Sequence, residues 1–142
     1  MNKNFCETVI DEATKLANSI KQRRLVILED TVNHYTLKNR AKDGNHLFGF
    51  LCVYSPVEGI SEGCAIGRMI ADKDVCRKMD EIKACIDEKI LREFIPQEVL
   101  ELGITFLADL QQLHDKQIYW QNTGLTKEGV EWVEKLKIEY CE

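Results

Sequence analysis

The chain has 142 residues, 44% of them apolar and 30% charged, enough for one globular domain with a real core and too apolar for a disordered chain. Its formal net charge of -5 argues against duplex nucleic acid as a partner. No apolar run approaches the roughly 18 residues that span a bilayer, so no membrane partner is expected.

The charge is uneven. Residues 20–42 carry Lys21, Arg23, Arg24, Lys38, Arg40 and Lys42 against Glu29 and Asp30, which leaves room for a small anionic ligand. The six cysteines include no Cys-x-x-Cys pair, and the first residues lack the apolar core of an export signal. Reduced thiols and a cytosolic protein are the expectation.

In chain order, Phe5, Val9, Ala13, Leu16 and Ile20 have helical spacing and predict a helix over 4–21. A second helix is predicted over 26–40, with Leu28, Val32, Tyr35 and Leu37 inward and Asp43-Gly44-Asn45 as its closing turn. Phe48 to Tyr54 is β-prone, Ser55-Pro56 stops it, and Glu58-Gly59 makes a turn. Cys64-Ala65-Ile66 is the expected partner strand of a hairpin.

A charged helix follows, with Val75, Met79, Ile82, Ile86 and Ile90 inward and Ile95-Pro96 as its break. Gln97 to Leu102 reads as a short helix ending at Gly103. Ile104, Leu107, Leu110 and Leu113 then form a helical stripe up to about Lys116. Asn122-Thr123-Gly124 is a turn, and Thr126 opens a last helix with Val130, Val133, Leu136 and Tyr140 inward. The expected fold is a single α+β domain over 1–142, with about five helices around a small antiparallel β-hairpin. Residues 1–24 form a helical extension on a core of 25–142.

The segment Gly63-Cys64-Ala65-Ile66-Gly67-Arg68 is the densest in chemistry. Two glycines flank a thiol, and a cation follows. Such a turn into a helix can hold an anion or position a nucleophile, and it can equally be a tight corner. Cys64 with His114 as base is the candidate catalytic pair, with Asp115 as an orienter. His114 and Asp115 are adjacent on a helix, which argues that they point apart. The Gly-x-nucleophile-x-Gly elbow is absent. Cys52, Cys64, His34, His46 and His114 lack zinc spacing, so no metal and no cofactor is expected.

A ligand pocket is the other candidate. Arg40 and Arg68 are cations able to grip phosphate, Tyr54 and Trp120 could stack on a ring, and Gly63 and Gly67 let backbone approach a ligand. Each also has an ordinary role in ion pairing, core packing or a turn.

The order of signals from Leu28 to Tyr140 resembles a family of small phage- and prophage-encoded proteins. The resembling residues are Asn33-His34-Tyr35 with Lys38-Asn39-Arg40, Cys52-x-Tyr54, the Gly63–Arg68 segment, Asp109-Leu110-Gln111-x-x-His114-Asp115, Trp120 and Gly124-Leu125-Thr126. Glu62 stands where such proteins often carry a basic residue. The resemblance implies a phage-type accessory protein in the host cytosol, acting on host defence. The expected function is non-enzymatic binding of a host component, most concretely sequestration of a nucleotide-derived immune signal by a protein that could oligomerise. The alternatives are a small thiol-dependent enzyme using Cys64 with His114 and an inhibitor that binds a host defence protein directly.

Overall fold

The computed structural model describes residues 5–37, 54–55, 64–82, 86 and 88–142. Among them the chain is mostly helical, with one small two-stranded antiparallel sheet. The helices are α1 (Phe5–His34), α2 (Ala65–Met69), α3 (Lys73–Ile82), α4 (Gln97–Leu100), α5 (Ile104–Asp115) and α6 (Lys127–Cys141). The strands are β1 (Trp120–Gln121) and β2 (Gly124–Leu125). Short 3-10 turns occupy Lys89–Glu93 and Gln117–Tyr119.

The first two predicted helices are one. No glycine or proline interrupts residues 5–34, so nothing in the backbone stops the helix at residue 21. The two arginines in the middle anchor it. Arg24 Nε donates to the Leu102 carbonyl at 2.8 Å, and Nη1 donates to the Tyr140 carbonyl at 3.2 Å. Its guanidinium also lies 5.7 Å from the Phe106 ring and 5.6 Å from the Tyr140 ring. Arg23 pairs with Glu101 at 3.1 Å and donates to the Glu98 carbonyl. Both therefore face α4, α5 and α6 rather than a gap between helices.

The expected hairpin is corrected. Cys64 is extended, but Ala65–Met69 is helical rather than a strand. The Cys64 sulfur accepts from Gly67 N–H at 3.4 Å and caps the turn. Residues 48–53 and 56–63, the rest of that expected hairpin, lie outside the described residues. The strands instead flank the Asn122-Thr123 turn, with Trp120 paired to Leu125 and Gln121 to Gly124. Gly124 has φ of 129°, a conformation that side chains other than glycine rarely adopt.

Further along, α3 is described over Lys73–Ile82, residues 83–85 and 87 lie outside the described residues, and the chain is 3-10 helical around Ile90, which is exposed rather than inward. Helices α4, α5 and α6 lie within one or two residues of their predicted bounds. Thr126 caps α6 by accepting from Gly129 N–H at 3.2 Å. Val130, expected inward, is exposed, whereas Val133, Leu136 and Tyr140 are buried. The core joins Leu28 and Tyr35 of the first helical segment and its exit to Phe106, Leu107, Leu110 and Leu113 of α5 and to Leu136 of α6. No helix among the described residues is long and apolar enough to cross a membrane.

Candidate functional site

Tyr35 sits just beyond the last turn of α1, and its ring is the hub on which the sequence-predicted residues meet. It is 1% exposed. His114 approaches it edge-on with 4.8 Å between centroids, Trp120 with 6.2 Å, and the neighbouring His34 with 4.8 Å. The Arg68 guanidinium carbon lies 5.5 Å from the ring centroid, a cation–π distance. Thus α1, α2, α5 and β1 each contribute one chemically capable side chain.

Arg68 reaches this place because α2 packs on α5. Its Nη1 donates to Asp30 Oδ2 at 2.9 Å, and the Arg68 side chain is 25% exposed against 60% for Asp30. Among the described residues the guanidinium donates to Asp30 alone. A guanidinium carries five N–H donors, so this cation has hydrogen-bonding capacity left on its open side.

His114 is buried at the last turn of α5. Adjacency does not hold it apart from Asp115, contrary to the expectation for neighbours on a helix: His114 Nδ1 lies 2.9 Å from Asp115 Oδ1. Gln111, one turn back, donates to the same carboxylate oxygen at 2.7 Å and holds it over the histidine. An ionised carboxylate only accepts, so the Nδ1 position carries the proton in this pair.

Cys64 is fully buried and has its sulfur committed to the Gly67 N–H. Cys76 is equally buried and donates to the Gly67 carbonyl at 3.7 Å. Burial pushes the Cys76 thiol up, with the nearby Lys73 ammonium opposing it. Lys73 Nζ in turn donates to the carbonyls of Gly67 and Ile70 at the end of α2. Two thiols and a lysine therefore satisfy the ends of a helix of five residues.

Tyr54 and Trp120 are core residues. Trp120 Nε1 donates to the Leu113 carbonyl at 2.7 Å, and the ring is 3% exposed. Tyr54 is 1% exposed, and its backbone N–H donates to Asp80 Oδ1 at 2.6 Å while Ser55 N–H donates to Oδ2 at 3.1 Å. Arg40, Gly63, Cys52 and His46 lie outside the described residues. Among the described residues no group of three or more His, Cys, Asp or Glu is arranged to hold a metal.

Sequence reasoning missed Arg24, Asp30 and Asp80 as structural partners. Arg24 was detectable, because Arg24, Leu28, Thr31 and Tyr35 share one helical stripe and its last three members are buried. A cation on a buried stripe demands acceptors. Asp80 gives no such signal, since it lies in a charged helix with several solvated carboxylates. No family model, curated protein or solved structure matches the chain.

Proposed function

We propose that this protein is a non-enzymatic binding protein of the phage-accessory kind that its sequence resembles, and that it sequesters a nucleotide-like anion in the host cytosol. The observation that carries the reading is Arg68: a partly exposed guanidinium seated over the buried Tyr35 ring, with spare donors beside a single carboxylate. Such a cation is pre-positioned for a phosphate oxygen. The nucleotide class comes from the resemblance, and the anionic character from Arg68.

Two features shape the proposal. Trp120 and Tyr54 are buried, so recognition rests on charge rather than on their stacking. Asp30 occupies one N–H edge of the guanidinium, so an incoming phosphate competes with its carboxylate. The buried, capping Cys64 supports binding over thiol chemistry, because a nucleophile has to reach its substrate.

Native mass spectrometry of the full chain with a panel of linear and cyclic nucleotides tests this. The expected result is a retained nucleotide, released unchanged on denaturation and lost in Arg68→Ala. A chemically altered nucleotide would instead indicate an enzyme. No adduct across the panel, with a stable complex captured from host extract, would replace sequestration with direct blocking of a host protein.

A further inference from the structure

The first four turns of α1 extend away from the core. From Glu7 to Ser19 nearly every residue is exposed, including Val9 at 46%, Ile10 at 63% and Leu16 at 61%. At 100° per residue, Val9, Ile10, Ala13, Leu16, Ala17 and Ile20 fall on one continuous face of this segment. An apolar face of that extent on a helix is a surface for a partner.

The charges beside that face identify the partner. Glu7 and Lys21 lie on the same flank and are equidistant from Thr14. On the opposite flank lies Glu12, while Lys15 falls on the back of the helix, away from the apolar face. The apolar residues share the centre: Ile10 mirrors Ala17, Ala13 mirrors Leu16, and Val9 mirrors Ile20, each to within a residue. A sequence that is acid on one side of Thr14, base on the other and apolar through the middle is self-complementary when reversed. In a parallel pairing opposite flanks meet, which would set Glu7 beside the partner copy's Glu12, like charge on like. We propose that the exposed half of α1 pairs with the same segment of a second copy of this chain, antiparallel, about a two-fold axis near Thr14.

The pairing is isologous, with every Glu7 meeting the partner copy's Lys21 and the two apolar faces covering each other. The contact is about 20 Å long, from about 1.5 Å of helix rise per residue, so association depends on protein concentration. It goes beyond the ligand reading and does not depend on it. The Arg68 site lies at the other end of α1, near its exit.

Sedimentation velocity of the full chain over a wide concentration range is the test. The expected result is a monomer–dimer equilibrium that Leu16→Glu shifts at least tenfold toward monomer. Leu16 is an exposed position, and circular dichroism at matched concentration checks that the fold is kept in every variant. Glu7→Lys and Lys21→Glu singly should each weaken the dimer, and the double variant should restore it, since the reversed charges again meet as opposites. A monomer at every concentration overturns the proposal, as does a dimer indifferent to Leu16→Glu. Failure of the double variant to recover overturns the antiparallel arrangement. A monomer whose α1 amides from Glu7 to Ser19 are protected from hydrogen exchange would assign the cover to another part of the same chain, and this too overturns it.

Discussion

A Cβ placed on Gly67 would lie 1.9 Å from the carbonyl oxygen of Tyr54. The backbone of α2 rests directly on the backbone of residue 54, with no room for a side chain between them. This contact, rather than any special backbone torsion, is why glycine stands at position 67. It brings Arg68, the next residue, to Tyr35. Gly67→Ala is therefore expected to cost about 1–3 kcal/mol, because the obstacle is backbone and cannot rotate away. Urea denaturation measures this, and a loss under about 0.5 kcal/mol would mean that the 54–55 segment moves freely.

Arg24 supplies a second prediction. It donates to two carbonyls from different elements and lies against two rings. Arg24→Met keeps the stem but strands the Leu102 and Tyr140 carbonyls, and it should destabilise by about 2–4 kcal/mol. Arg77→Ala is the control. Arg77 pairs with Asp74 on an exposed turn, where such pairs contribute about 0–1 kcal/mol. The two variants should differ by several degrees in Tm.

Tyr140 gives a pH signature. Burial, reinforced by the hydrogen bond that its hydroxyl donates to Asp109 Oδ2 at 2.5 Å, pushes its phenol well above the ordinary tyrosine range. In the unfolded chain the same phenol ionises near pH 10, by the usual value of about 10. Between these two points the folded state holds a proton that the unfolded state has released, so stability falls as pH rises. Below pH 10 this contribution is fully present. Unfolding free energy measured from pH 8 to 12 should fall less steeply in Tyr140→Phe than in the parent chain. Equal slopes would mean that the phenol is not held protonated by Asp109 and burial.

The buried thiols separate binding from thiol chemistry. Cys64 and Cys76 are inaccessible, and Cys141 is half-buried near the end of α6. Of these three, alkylation of the native protein mapped by peptide mass spectrometry should modify Cys141 first. Cys64 and Cys76 should react only as the protein unfolds. Rapid native modification of Cys64 would revive the catalytic alternative.

At the proposed anion site, Asp30 and Arg68 should act in opposite directions. Arg68→Ala removes the cation and is expected to abolish nucleotide retention. Asp30→Asn removes the competing carboxylate and is expected to tighten binding by about tenfold, or about 1.4 kcal/mol, just under the about 1.5–3 kcal/mol of a charge-assisted contact. Titration calorimetry of both variants checks the pair. Weakened binding in Asp30→Asn would mean that Asp30 orients the guanidinium for its ligand rather than masking it.

Helical periodicity identified most of the fold. The stripes through Leu107, Leu110 and Leu113 and through Val133, Leu136 and Tyr140 lie in the core. They were legible because a regular apolar repeat beside a clear stop, such as Gly103 or Thr126, has one physical solution. The Cys64–Ile66 segment misled for the opposite reason. Three small or β-prone residues between glycines suit a strand or a helical turn equally, and a long-range contact between Gly67 and Tyr54 settles the choice. The same holds for the site. Arg68, His114 and Trp120 stood out by residue type, but their meeting on Tyr35 depends on how α1, α2, α5 and β1 pack, which no local pattern encodes. The merging of the first two helices was readable in hindsight from the lack of any breaker between residues 21 and 26.

The Arg24 clasp on the Tyr140 carbonyl has a consequence for biosynthesis. The two residues are 116 positions apart, so a growing polypeptide exposes Arg24 long before its acceptor is made. At about 5–20 residues per second, that interval is on the order of ten seconds. During this time water holds the cation, and the apolar stripe beside it lacks its eventual cover. The native structure therefore closes only after residue 140 has emerged.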